Sequence, residues 1–211
     1  MEFIHSLFII NFFELLAAIL ATIHYKKYSL SKEKYFIYFL WYAVFTDTFG
    51  AISAWIFEKN SMWIYILFLF FSYLFYFFWY KSILVNKQYK KIITFFTILF
   101  ILIAFVDFFN QSWDENHVMT YIAGSIIIVI ASFMYFSELL NSREVLNIKN
   151  KLSFWIATGL LLFNVGMVPF VIFSEIFDAH NELRIVILVS LNVILYTCYS
   201  LGFIWCKKKV N

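Results

Sequence analysis

Charge is what this sequence lacks most. Asp, Glu, Lys and Arg make up 14% of its 211 residues, against about 25% in a soluble domain. A chain so poor in charge cannot coat a folded surface in water. The same shortage, beside 64% hydrophobic residues, excludes intrinsic disorder and a solvated coiled coil. One proline and five glycines leave little flexible linker and exclude collagen. The two cysteines, Cys198 and Cys206, stand on one apolar stretch, so a disulfide scaffold is not available. Arginine is nearly absent (Arg143 and Arg184) beside abundant Lys, Ile, Phe and Asn. That bias fits an AT-rich bacterial genome.

What is present is apolar and aromatic. Aromatic residues supply 24% of the chain, 29 of them Phe, and the mean hydropathy is +0.83. A hydrocarbon core of about 30 Å is crossed by about 20 apolar helical residues. Seven stretches qualify: 3–25, 35–57, 62–80, 92–109, 118–140, 154–176 and 185–206. They are long and continuous, which excludes a membrane barrel of short alternating strands. The fourth is the shortest. The expected fold is an all-α integral membrane protein, a single seven-transmembrane helix bundle over residues 1–211. The first run starts at Phe3 with no basic segment before it, so it is expected as a retained helix, not a cleaved signal.

The basic residues sort by loop. Lys26, Lys27, Lys32 and Lys34 follow span one. Lys81, Lys87, Lys90 and Lys91 follow span three. Arg143, Lys149 and Lys151 follow span five, and Lys207, Lys208 and Lys209 follow span seven. Only Lys59 and Arg184 fall on the other side. The positive-inside rule then predicts the N-terminus out and the C-terminus in, in the inner membrane of a bacterial cell. The outer side carries Glu2, Glu58, Asp107, Asp114, Glu115, Glu175, Asp178 and Glu182. The tryptophans, at 41, 55, 63, 79, 113, 155 and 205, mostly mark span ends, where amphipathic rings prefer the interface; Trp41 is deeper. Outer connections are about four to eight residues and inner ones about nine to thirteen. None holds a kinase, cyclase, nuclease or DNA-binding module, so no nucleic-acid partner is expected. The basic loops meet anionic lipid or dock a separate cytoplasmic or membrane signalling partner. Oligomeric state leaves no mark in the sequence.

Two carboxylates have no such topological explanation. Glu14 lies eleven residues in from Phe3, or about 16 Å at 1.5 Å per residue. Asp47 lies ten residues from Phe57, or about 15 Å. A short inner loop joins their helices, so both acids are expected at one depth. Asn11, Glu14, Ala18 and Ala21 form one stripe of the first helix; Ala43, Asp47, Gly50 and Ala54 form one of the second. Small residues mark helix–helix contact in membranes, so each acid should face protein. An acid at a helix centre costs about 2.5–3.5 kcal/mol on insertion scales. Such a pair serves as a proton or cation site or a polar ligand pocket. Its structural alternative is a carboxyl tie between helices, shared with Asn11, Thr46 and Thr48.

Other polar groups are candidates to join it. Asn164 lies mid-span in the sixth helix, near Gly159, Gly166 and the lone Pro169, where a freed carbonyl favours a hinge. Asn192, Tyr196 and Tyr199 form one stripe of the seventh helix, and Ser72 and Tyr73 are central in the third. Each is ordinarily an interhelical hydrogen bond worth about 0.6 kcal/mol. Together with Glu14 and Asp47 they would line one cavity open to the outer side. Asp107 and Glu138 lie near span ends and are read as boundary residues that reach the interface.

Several chemistries are excluded. No lysine lies in the core of a span, so retinal has no Schiff-base partner and no cofactor is expected. Haem wants a mid-bilayer histidine pair, whereas His5, His24, His117 and His180 lie toward span ends. No zinc-ligand spacing repeats, so no metal is assigned. There is no HExxH, GxSxG or P-loop. Cys206 beside three lysines is read as a plain juxtamembrane thiol, not a lipidation site.

The stretches FFELLAAILATIHYKKY (12–28), FLWYAVFTDTFG (39–50), FWIATGLLLFNVG (154–166) and LNVILYTCYSLGF (191–203) carry a resemblance. Along its length the chain resembles seven-helix integral membrane proteins of Bacteroidota. It also looks like the seven-helix sensor modules that precede bacterial histidine kinases. The resemblance implies a receptor-like module, and a form ending at Asn211 would pass its signal to a partner. The first expectation is therefore a sensor reading a small ligand, proton or ion at Glu14 and Asp47, with Asn11, Asn164, Asn192 and Tyr196 contributing and Pro169 as hinge. The alternative is a small transporter or channel that uses the pair as its coupling site. A lipid-modifying enzyme with the acids as general acid and base ranks third, because no nucleophile or metal accompanies them.

Overall fold

The computed structural model describes residues 2–57, 62–111, 117–172 and 182–207, and the side chains of all of these except 2–7, 54–57, 143–146 and 184. Among the described residues the chain is helical, with no strand. The long helices are α1 (Glu2–Ile23), α2 (Phe36–Phe57), α3 (Met62–Ile83), α4 (Lys87–Asn110), α5 (Val118–Leu140), α6 (Leu152–Ile172) and α7 (Glu182–Trp205). Six of them, α2 to α7, are long and apolar enough to cross a membrane, and α1 contributes the shorter apolar stretch Phe8–Ile23. Large side chains such as Phe45, Phe78, Phe105 and Phe133 stand exposed on the outside of the bundle, the condition of a surface that meets lipid.

The helices pack as a ring in which α1 closes the circuit. It lies against α2 on one side and α7 on the other; α7 packs on α6, α6 on α5, α5 on α3 and α3 on α2. Helix α4 lies outside, against α3 and α5. Two apolar helices gain no hydrophobic energy by touching in lipid, so close contact depends on small residues. On α1 these are Ala17, Ala18 and Ala21, all fully buried. Between α6 and α7 they are glycines. A methyl group at Gly159 would stand 3.0 Å from Cys198 Cβ and 3.2 Å from the Leu195 carbonyl oxygen, and one at Gly202 would stand 2.7 Å from Trp155 Cβ.

Hydrogen bonds join α3 to α5 at regular intervals. The Tyr73 hydroxyl meets Ser125 Oγ at 2.8 Å and the Tyr80 hydroxyl meets Ser132 Oγ at 2.6 Å. Both members advance by seven residues, two helical turns, as parallel helices in fixed register require. Glu138 extends the series by accepting from the backbone N–H of Val85 and Asn86 at 2.8 and 2.7 Å. The lysine-bearing segments gather at one end. Lys27 Nζ donates to the Ile204 carbonyl at 2.8 Å, and Lys32 Nζ donates to the Ser82 carbonyl. At that end the Tyr28 hydroxyl donates to the Ala21 carbonyl at 2.6 Å. Burial pushes this hydroxyl above the ordinary tyrosine range, so it stays a donor.

Four expectations need correction. Helix α4 is not the shortest: it starts at Lys87 and runs 24 residues, because the stems of Lys87, Lys90 and Lys91 continue the helix while their heads reach water. The connection before it is therefore only residues 84–86, and the other two lysine-bearing connections carry the helical turns Tyr25–Tyr28, Lys32–Tyr35 and Arg143–Asn150. Asp107 is no boundary residue; it is buried at 3% exposure. It accepts from Thr120 N at 3.0 Å and Thr120 Oγ1 at 2.6 Å, with His117 Nδ1 at 3.6 Å. The turn back from α4 brings it to the first turn of α5, whose N–H groups lack helical partners and favour a carboxylate. Trp79 is also buried, packed on Phe36 at 5.7 Å and not in an interfacial belt. Glu58, Lys59, Trp113, Asp114, Glu115, Glu175, Asp178, His180, Lys208 and Lys209 lie outside the described residues, as do the side chains of Glu2, His5, Ala54, Trp55, Arg143 and Arg184.

Two substitutions test this packing. Gly159→Leu is expected to cost about 1–3 kcal/mol or more, because the Leu195 backbone cannot give way; Phe133→Leu on the exposed face should change stability by less than about 0.5 kcal/mol. Asp107→Ala should cost about 0.5–2 kcal/mol as a lost cap, with Asp107→Asn recovering part of it. Melting of the purified chain in detergent, followed by circular dichroism, measures both.

Candidate functional site

The site is assembled by the small-residue stripes. On α1, Glu14 precedes Ala17, Ala18 and Ala21 by three, four and seven residues, so one face carries all four. With only methyl groups beside it, the Glu14 side chain is the one that bridges the gap to α2 and α7. It is 1% exposed. On α2, Asp47 follows buried Ala43 by four residues and precedes buried Gly50 by three. The two carboxyl groups lie close enough for each to act on the other, and the Tyr196 hydroxyl from α7 lies beside Glu14 as well. Three helices thus each contribute one oxygen-bearing side chain.

Helix α3 adds two tyrosines that the sequence reading passed over. Tyr65 lies close enough for the charges of Asp47 and Glu14 to act on it. Its hydroxyl fills the space beside Gly50, 2.6 Å from where a Cβ would stand. Tyr76 lies near Glu14, and its hydroxyl is 3.5 Å from that of Tyr199 on α7. The available signal was the set of hydroxylated rings at 65, 73, 76 and 80 in an otherwise phenylalanine-rich helix. Tyrosine carries a polar tip that a buried ring must satisfy.

The other expected members stand apart in their bonding. The Asn164 side-chain amide donates to the Leu160 carbonyl at 2.8 Å, and the Asn192 amide donates to Leu188 at 2.8 Å. Both amides thus serve their own helix, four residues back. Asn11 is half-buried on the Glu14 stripe, one turn earlier. The Thr46 and Thr48 hydroxyls likewise donate within α2, to Tyr42 and Val44. Helix α6 continues through Pro169 to Ile172. Proline has no N–H for the Val165 carbonyl, and Val165 itself is exposed, between buried Asn164 and Met167.

The chemistry available is that of hard oxygen. Glu14 Oε1 is buried and accepts no hydrogen bond from any described group, although its neighbours are a carboxyl and a phenol. A carboxyl facing a carboxyl becomes favourable when something positive lies between them, a proton or a small hard cation. Among the described residues, no three His, Cys, Asp or Glu side chains cluster as metal ligands. Comparison of the chain with family models, curated proteins and solved structures gives no match.

The pair should behave as one unit. Glu14→Gln, Asp47→Asn and the double variant, melted at one pH, are expected to be non-additive by about 0.5–3 kcal/mol. Tyr196→Phe should cost nearer 0.6 kcal/mol, the size of about one interhelical hydrogen bond. An additive cycle would remove the shared site.

Proposed function

We propose that this protein is a receptor-like, seven-crossing membrane module that reads a proton or small cation at Glu14 and Asp47 and acts through a separate partner. The observation that carries this reading is the meeting of a buried and a half-buried carboxyl group from neighbouring helices, with a third helix supplying the Tyr196 hydroxyl. Intramembrane acids are expensive and by default functional. A charge entering between them changes the force between α1 and α2, and α1 is the helix that closes the ring. Loading the site therefore acts on the joint that α1 makes with both α2 and α7. The proline-bearing α6, packed on α7, is the natural element to move, with Pro169 as its hinge.

The positive-inside rule supports lysine-rich segments on the cytoplasmic side, the N-terminus outside, and residence in a bacterial inner membrane. The described connections between helices are too short to hold an output domain, which favours a partner docked on the basic end. One observation also favours a transporter: carboxyl pairs between helices are where coupling ions bind.

Reconstitution in liposomes distinguishes the two. A receptor is expected to pass no proton, Na⁺ or K⁺ current by dye assay. Its tryptophan fluorescence, with Trp41 on α2 hydrogen-bonded to Thr22 on α1 at 3.1 Å, should change on titration with protons or cation. That response should vanish in Glu14→Gln/Asp47→Asn. A flux abolished by either single variant would make the protein a transporter. A wild-type protein with neither flux nor response would refute both.

A further inference from the structure

The lysine-rich end of the bundle contains a second feature, remote in kind from the carboxyl pair. A cavity of about 790 Å³ opens there between the ends of the helices. Pockets for small molecules are commonly about 300–1,000 Å³, so the space is of ligand size. Its charged walls are Lys27, Lys32, Lys151 and Lys207, with Glu33 and Glu138.

The balance among these charges is uneven. Both Glu138 oxygens are occupied by the backbone N–H groups of Val85 and Asn86. Glu33, 9% exposed, keeps its carboxylate in the wall, so the lining carries four lysines against two carboxylates. The lysines are placed differently. The Lys27 and Lys32 ammonium groups are anchored on the carbonyls of Ile204 and Ser82. Ser82 and Ile204 belong to adjoining clefts, so these two lysines stand at the edges of the cavity, and each ammonium has three donors in all. Lys207 is exposed at the mouth. Asn147 and Asn150 add side-chain amides to the same wall. An excess of lysines over carboxylates, with two asparagines beside them, suits a compact multivalent anion, which lysine binds as a point charge.

We propose that this cavity is a binding site for a phosphate-bearing ligand, whether the headgroup of an anionic phospholipid or a soluble phosphate compound. Both sources present the same group, and the cavity lies where helices end and headgroups begin. The site is independent of the carboxyl pair and of the function proposed for it.

The test uses the full chain in phosphatidylcholine nanodiscs with two probes. Inorganic pyrophosphate is titrated calorimetrically. Phosphatidylglycerol is added at low mole fraction and retention is read by native mass spectrometry. Saturable binding of either probe is expected, pyrophosphate indicating a soluble ligand and phosphatidylglycerol a headgroup. Affinity should fall about tenfold or more in Lys151→Gln/Lys207→Gln. It should hold in Lys87→Gln/Lys91→Gln, which removes two exposed lysines of α4 that do not line the cavity. Lys151→Arg/Lys207→Arg, which keeps the charge, should retain binding. If the first variant fails to fold, Lys207→Gln alone decides, with a clear loss supporting the site and an unchanged affinity overturning it. Absence of saturable binding by both probes, or an equal loss in the α4 variant, would also overturn it.

Discussion

Closeness between helices is the constraint on which this structure depends. In lipid an apolar helix gains nothing from hiding its surface against another, so association rests on packing and on hydrogen bonds. Packing at short range needs small side chains, and this chain spends its few glycines and several alanines there. Gly159 and Gly202 let α6 and α7 approach closely, Gly159 against the Leu195 carbonyl and Gly202 against Trp155 Cβ. Ala17, Ala18 and Ala21 let α1 close the ring. Glu14 sits on that same alanine face, so the contact that completes the bundle also delivers its carboxyl to Asp47 and Tyr196.

Most buried carboxyls and hydroxyls of this bundle are satisfied by a neighbouring helix. Asp107 is satisfied by the first turn of α5 and Glu138 by the turn before α4. Tyr73 and Tyr80 find serines on α5 at matched two-turn intervals. These groups are paid for by their partners. Among the carboxyls Glu14 differs, since one of its oxygens is buried without a donor and Asp47 lies beside it; Ser72, Trp79, Tyr121 and Ser200 also bury a polar atom without a partner among the described residues. From there the buried hydroxyls continue toward the lysine-rich end. Tyr76 meets Tyr199, and Tyr135 meets Ser153 at 3.1 Å, where both line the basic cavity.

Much of the architecture was legible because it is one-dimensional. Apolar run length reports on crossing helices, and the alternation of lysines between loops reports on which loops share an end. The anchoring of Lys27 on α7 and Lys32 on α3 agrees with that grouping. The Glu14 and Asp47 stripes were legible for a similar reason: helical periodicity turns a spacing of three or four into a face. Less was legible where helix ends meet. Asp107 reads as a boundary residue in sequence, because only the turn into α5 reveals the N–H groups it caps. Tyr65 and Tyr76 were hidden among phenylalanines of the same helix, and the asparagine amides gave no sign that they would serve their own backbones.

By itself, then, the sequence determined that this chain is a bundle of apolar helices, with its lysines gathered at one end and two acids in need of a reason. Those properties follow from composition and local periodicity, which act along the chain. Tertiary structure alone decided that α1 closes the ring and α4 stays outside it. It also decided that Tyr196 joins the acids and that four lysines from three separate segments line one cavity. These depend on which helices are neighbours, and in lipid that choice is made by the fit of small residues and hydrogen-bonding tips between helices, not by hydrophobicity, which every helix here shares.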